Sequence, residues 1–392
     1  MSALRLTFLS MLCSLFMLAS SNGAALADQN DVSRFVRVPV FFVTDRNLSA
    51  EKLLTGAEFG PHRKYVGECK HEPYMGVAQC IVENRSGKSL TPELKALGWS
   101  TVEDDKELKS TAVITKADDF AGVQTQFYGQ LMKTATSCPR KEIFMFAHGY
   151  KTSFDSALSL AGSFAYSSQT PVVLYSWPSV GKLRSYDSDE SNVEWSQEHF
   201  NDVVIKLGEL CAAEPQVKVR VIAHSMGTRL VVRAIPVLRQ RPFIAEASLV
   251  CPDIDDGLVK HYARRYMSVD GTAKIRLYMS QRDKALALSQ MLHGGYCRLG
   301  ECADSLSSVV TQAIGLNSGT NGVVSSQSDD EEFKKRMELT KHRMQTIDFT
   351  NLDRGMIGHT VPVELICNMA FFGEPGNELA LISQKSGQRS KV

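Results

Sequence analysis

The sequence predicts an α/β protein: a mostly parallel central sheet with helices on both faces. Three observations carry that expectation. Short apolar runs such as Glu142–Ala147 and residues 171–175 alternate with segments of helical period. The polar residues suited to chemistry fall at the carboxyl ends of these runs, where ligands bind in such sheets. Residues 217–227 alternate apolar and charged side chains, then reach the small-x-Ser-x-Gly turn Ala223-His224-Ser225-Met226-Gly227. A helix-like run, Thr228–Leu238, follows at once, so the serine sits at the tip of a strand-turn-helix.

In chain order, residues 35–44 read as a strand ending at Asp45-Arg46-Asn47. Residues 50–75 mix Gly, Pro and charge without a period and are expected to be loop. Two further strands, 76–82 and 110–115, flank a polar surface connection at 86–108. From Asp118, Phe120, Val123, Phe127 and Leu131 recur at three- and four-residue steps, one face of an amphipathic helix. The strand Glu142–Ala147, apolar on both faces, ends in His148-Gly149-Tyr150. Phe154, Ala157, Leu158, Ala161 and Ala165 mark the next helix, and the strand 171–175 ends in Trp177-Pro178. Residues 179–192 are expected as polar loop and 193–212 as one long helix leading to the serine turn.

Beyond the turn, the strand 247–251 ends in Pro252-Asp253-Ile254-Asp255, and 275–280 ends at Gln281-Arg282-Asp283. Lys284–Leu292 reads as helix, 344–349 as the last strand, and 361–372 as the last helix, just after Gly358-His359. The stretch 297–343, with its Ser-, Gly- and Asn-rich part at 315–330, reads as an insertion. Residues 28–375 are expected as one domain and 376–392 as a polar tail. No internal repeat is present.

Composition narrows the partners. In 392 residues, 44 Lys+Arg stand against 43 Asp+Glu, and 43% of residues are hydrophobic. That supplies a sizeable core and gives no argument for nucleic acid or an anionic membrane surface. Residues 1–27 read as a signal peptide: Arg5, an apolar run at 6–19, then Ala25-Leu26-Ala27 before Asp28. The expected location is periplasmic or secreted, with an uncleaved inner-membrane anchor as the alternative. After cleavage no stable membrane insertion is expected. Cys13 follows Met11-Leu12 rather than a small residue, so lipid attachment is not expected there. Eight of the nine cysteines remain after Cys13 is removed, an even number that permits disulfides in an exported chain. Pairings of Cys69 with Cys80 and of Cys297 with Cys302 are expected, and Cys251 and Cys367 as buried thiols.

A serine hydroxyl becomes a useful nucleophile only beside a base that is itself held in place. His359 is read as the base because it follows a late strand and opens a helix. His342 lies in a charged Lys-His-Arg run and His293 after a helix, which makes them weaker rivals. Asp283, after the second strand beyond the turn, is read as the acid, with Asp255 and Asp253 as rivals. The backbone N–H groups of Met226 and Tyr150 are read as an oxyanion hole. Tyr150 and Trp177 are read as lining a substrate pocket, and His148 and His224 as structural. Motifs for a metal site, a phosphate loop or a dinucleotide are missing, so no metal and no cofactor are expected.

The segments 38–46, Ala147-His148-Gly149-Tyr150, Tyr175-Ser176-Trp177-Pro178-Ser179, His224-Ser225-Met226-Gly227 and Pro252-Asp253-Ile254-Asp255 together resemble a bacterial family, domain of unknown function 900. Residues 277–280 and 283–289 are similar to it as well, so the resemblance covers roughly 36–372. It implies an α/β-hydrolase fold, an esterase- or lipase-like activity and a Ser225, Asp283, His359 triad, without a defined substrate. Two departures stand out: Ala223 replaces the usual first glycine of the turn, and 354–357 does not match closely. The expected function is an exported serine hydrolase cleaving a small-molecule carboxylic ester through an acyl-enzyme. An acyltransferase or thioesterase with the same triad is the alternative, and a non-catalytic binding protein on this scaffold is the other.

Overall fold

A parallel sheet that reverses its direction of travel at one point organises the residues described by the computed structural model, 33–52, 56–65, 72–102, 109–182, 184–238, 243–259, 274–301, 344–353 and 355–373. The expected leader (1–27) and tail (376–392), Cys69, Cys302, His342 and 302–343 of the expected insertion lie outside these residues. The strands are β1 (Phe35–Thr44), β2 (Arg46–Lys52), β3 (Gly56–Arg63), β4 (Tyr74–Glu83), β5 (Ser100–Thr101) and β6 (Thr111–Ile114). They continue as β7 (Glu142–Ala147), β8 (Val172–Ser176), β9 (Lys218–His224), β10 (Ile244–Val250), β11 (Lys274–Met279) and β12 (Met344–Asp348). The helices are α1 (Pro92–Ala96), α2 (Phe120–Ser137), α3 (Phe154–Ser168) and α4 (Tyr186–Trp195). They are followed by α5 (Gln197–Ala213), α6 (Thr228–Leu238), α7 (Lys284–Leu292) and α8 (Val363–Phe372).

One 12-stranded sheet runs in the order β12-β11-β10-β9-β7-β8-β1-β4-β6-β3-β2, with β5 off this path and paired to β1. From β12 to β1 every neighbouring pair is parallel, and β4 then joins β1 antiparallel. Alternation along the strands divides the core between the two faces. Ile143 and Met145 of β7 pack on one side with Phe127 and Leu131 of α2, Phe200 and Val203 of α5, and Leu230 of α6. Phe144 and Phe146 pack on the other with Leu158 and Phe164 of α3 and Ile366 of α8. Each such fully buried side chain contributes about 1.5–3 kcal/mol. Among the described residues no helix is long and apolar enough to cross a membrane.

The chain leaves β7 through α3 toward β8, and leaves β9 through α6 toward β10, on opposite sides. The carboxyl ends of β7 and β9 therefore flank the crevice where such sheets bind ligands.

The structure corrects several expectations. Within the expected loop 50–75, residues 50–52 and 56–63 are strand: β2 and β3 pair antiparallel in a register that shifts at Leu48, which breaks the period-two pattern. Within the expected connection 86–108, Thr91 caps α1, β5 pairs with β1, and Leu97 and Trp99 are buried. The expected polar loop 179–192 contains α4, and the expected long helix breaks at Ser196 into α4 and α5. Polar bonds hold α4 inward, since buried Asp189 accepts from Ser179 Oγ (2.5 Å) and Val180 N–H (2.7 Å). The Cys69–Cys80 pairing is corrected too: Cys80 is a free thiol buried under α3, 3.6 Å from the Leu158 carbonyl. Cys297 is disulfide-bonded to a partner outside the described residues, and Cys251 and Cys367 are buried free thiols.

At the sheet's amino end, Arg220 of β9 donates to Glu142 of β7 (2.8 and 2.9 Å) and to Glu246 of β10 (2.9 Å). Arg276 of β11 also pairs with Glu246, which is only 1% exposed. Removing one partner of a buried pair costs about 3–5 kcal/mol because a charge is left uncompensated. Glu246→Ala is expected to lose stability of that order in urea denaturation. Lys206→Ala, which removes an exposed pair with Glu209, is expected to lose about 1 kcal/mol or less.

Candidate active site

The turn after β9 has the strain that the motif requires. Ser225 takes a φ of 52°, the left-handed region a serine rarely adopts, and Ser225–Gly227 forms a single 3-10 turn leading into α6. Two bonds brace it: the Ser225 carbonyl accepts from Thr228 Oγ1 (2.6 Å) and from Asp253 N–H (3.2 Å). Ala223, the departure from the usual glycine, is fully buried and stands level with Ala147 of β7. Backbone hydrogen bonds set the spacing of these paired strands. Glycines let the turns beyond them touch: a Cβ on Gly149 would lie 2.8 Å from Ser225 Cβ, and one on Gly227 would run into the His148 carbonyl.

Asp283 and His359 are brought together as the sequence predicts, with Nδ1 of His359 2.6 Å from Oδ2 of Asp283. The local sequence explains why both are fixed. Asp283 is the N-cap of α7, its Oδ1 accepting from Leu286 N–H (3.0 Å), so one oxygen holds the helix and the other the imidazole. Gly358 (φ 69°) lets the chain cross directly over Arg282, and Lys284 N–H donates to the Ile357 carbonyl (2.8 Å). The His359 ring lies 4.8 Å from that of His224, the residue before Ser225, which sets the Asp–His pair beside the turn.

The rivals are occupied elsewhere. Asp255 caps the segment after it, accepting from Leu258 N–H (3.0 Å). Asp253 is buried among Arg298 (2.9 Å), Ser289 (2.6 Å) and Tyr186 (2.5 Å). Burial alone would raise its carboxyl, but Arg229 and Arg298 hold it below the usual range. His293 faces Glu190 (2.8 Å) and the Ser289 carbonyl (2.7 Å). His224 is partly buried, and desolvation followed by the nearby His359 and His148 keeps its pKa well below the ordinary value.

Tyr150 lies in the turn after β7 and Met226 in the turn after β9, and the Tyr150 ring packs 5.2 Å from that of Tyr186. Trp177 corrects an expectation. It is fully buried, stacks on His148 at 4.9 Å, and donates from Nε1 to the His148 carbonyl (2.7 Å). It braces the loop from behind and does not line a pocket.

Sequence reading missed a role for Cys251 beyond burial. Its thiol lies beside the Asp283 carboxylate, and burial followed by that charge pushes its pKa well up. Its only signal was its position at the end of β10, ahead of Pro252. Cys251, Asp283 and His359 hold a thiol, a carboxylate and a ring nitrogen within 4.8 Å of one another, a donor set that suits a soft divalent ion. Both carboxylate oxygens already serve Leu286 and His359.

Gly149→Ala tests the contact between the two turns. Forcing a methyl into this space is expected to cost about 1–3 kcal/mol in denaturant titration. Unchanged stability would contradict the close approach.

The family described as alpha/beta hydrolase of unknown function (DUF900) matches residues 123–361, more than half of the chain. Among curated proteins none matches. Among solved structures, the chain is similar to an esterase of Pyrobaculum calidifontis at 10% identity and a TM-score of 0.28, over 58% of this chain and 75% of that one. It is similar to carboxyl esterase 2 of the fungus Tuber melanosporum at 11% identity and a TM-score of 0.28, over 58% and 77%. Likeness at that level carries no argument about this chain, whose own sheet and family match define its fold. The chain belongs to the alpha/beta hydrolases of unknown function (DUF900).

Proposed function

We propose that this protein is a serine hydrolase acting on a small-molecule carboxylic ester, with Ser225 as nucleophile, His359 as base and Asp283 as the acid that orients it. The observation that carries the reading is the 2.6 Å Asp283–His359 pair beside a turn that holds Ser225 in a strained left-handed conformation. A carboxylate on Nδ1 leaves Nε2 as the nitrogen that takes the Ser225 proton. Ser225 Oγ then attacks the ester carbonyl, and the oxyanion accepts from the N–H groups of Met226 and Tyr150. Collapse of the tetrahedral intermediate breaks the carbon–oxygen bond, and the imidazolium gives its proton to the leaving alcohol. Water, deprotonated by His359, attacks the acyl-enzyme and releases the acid. The leader pattern at 1–27 supports action in the periplasm or outside the cell.

A fluorophosphonate probe tests the reading, because it needs an activated serine but no knowledge of the ester. The mature chain is expected to label at Ser225. Labelling should vanish in Ser225→Ala and His359→Ala, and Asp283→Asn should slow it by about 10³–10⁴-fold. A folded wild type that does not label would contradict the hydrolase reading and favour a binding role for the scaffold.

A further inference from the structure

We propose that Arg46, Ser176 and His148 form a hydrogen-bonded relay that fixes the direction of the Gly149–Tyr150 peptide, and so aims the Tyr150 N–H at the reacting carbonyl. These are positioning residues, since none of them touches the ester. The catalytic consequence rests on the hydrolase reading, whereas the relay itself stands on geometry.

Arg46 is 1% exposed at the start of β2, and its guanidinium reaches three segments. Nε donates to Ser176 Oγ (2.9 Å), Nη1 to the carbonyls of Ser179 (2.9 Å) and Gly60 (3.3 Å), and Nη2 to that of Thr152 (2.7 Å). Burial lowers its pKa to about 10 against the pull of Asp189, Asp155 and Asp45, so it remains a cation at neutral pH. An arginine side chain only donates, which gives the relay its polarity. Ser176 Oγ accepts from Arg46, and its own proton is available to Nε2 of His148, 3.3 Å away.

His148 is 1% exposed, and burial together with Arg46 pushes its pKa down to about 3. The ring therefore carries one proton, and its surroundings choose the nitrogen. Nε2 faces two donors, Arg46 Nη2 (3.4 Å) and the Ser176 hydroxyl, against one acceptor, the Trp177 carbonyl (3.1 Å). Nδ1 faces the Gly149 carbonyl at 2.9 Å, where a bare nitrogen would set two lone pairs against each other. The proton belongs on Nδ1 and is donated to that carbonyl. The described chain has no cis peptide bonds, so the Gly149 C=O and the Tyr150 N–H point in opposite directions. With the carbonyl held toward His148, the N–H is turned away from it, on a loop packed against Ser225. Trp177, stacked on the ring, prevents the imidazole from turning.

Two readouts test the relay in the full mature chain. Nitrogen-15 NMR of labelled histidine, with the His148 signal identified by its loss in His148→Asn, is expected to show the Nδ1–H tautomer. Ser176→Ala and Arg46→Lys, which keeps the charge without the fork, are expected to populate the Nε2–H form. Fluorophosphonate labelling of His148→Ala is expected to slow about 10²-fold at an unchanged pH midpoint. His148→Asn, whose amide can stand near the Nδ1 position, should recover most of that rate. An Nε2–H tautomer in the wild type, or full-rate labelling of folded His148→Ala, overturns the relay. A wild type that does not label overturns the hydrolase reading instead, and the tautomer still decides the relay.

Discussion

Two backbone turns from adjacent parallel strands meet almost without side chains between them, and the rest of the candidate site depends on that contact. Ala147 and Ala223 stand level on β7 and β9, and just beyond them Gly149 and Gly227 leave no room for a Cβ. The contact falls where the sheet reverses its direction of travel, so the helices that follow diverge and leave the crevice open above it. The Ser225 turn and the His148-Gly149-Tyr150 loop thus form one unit. A strained serine persists there because its neighbours over-determine it, with bonds from Thr228 and Asp253 on one side and Gly149 on the other.

Buried polar groups do the ordering that apolar packing leaves undone at the two ends of the sheet. At the amino end, Arg220, Glu142, Glu246 and Arg276 tie four neighbouring strands together. At the carboxyl end, Arg46 binds carbonyls from three separate segments, and Asp253 collects Arg298, Ser289 and Tyr186. Loops have no regular ladder of their own, and a buried donor or acceptor left unmade costs about 1–3 kcal/mol. Directional bonds of this kind fix where a loop's backbone groups point, which a nonspecific apolar contact does not. Asp283 shows the economy of the arrangement, one oxygen capping α7 and the other gripping His359.

The parts of the fold that were legible in the sequence are those written as hydrophobic period. The buried strands β7, β8 and β9 and the helices α2, α3 and α6 follow directly from apolar runs and three- or four-residue spacing. The turn and Asp283 were legible because motif and strand end coincide, and His359 because it lies between the last strand and the last helix. The β2–β3 hairpin was not, since its bulges erase the alternation that marks a strand. Helix α4 was not, because hydrogen bonds to Asp189 rather than an apolar stripe draw it inward. Trp177 was misplaced for a related reason: an aromatic after a strand reads alike whether it faces a pocket or a histidine. The environments of Arg46 and Cys251 were invisible because their partners come from distant parts of the chain, 130 residues away for Arg46 and Ser176.

The proposed reaction requires a base-activated serine and two backbone N–H groups to converge on one point at the sheet's switch. A crystal structure of the chain after reaction with a fluorophosphonate tests that convergence most directly. The expected adduct has phosphorus bonded to Ser225 Oγ, its free oxygen accepting from the N–H groups of Tyr150 and Met226, with His359 still paired to Asp283. An adduct on another residue, or on Ser225 with that oxygen turned away from both N–H groups, would contradict it.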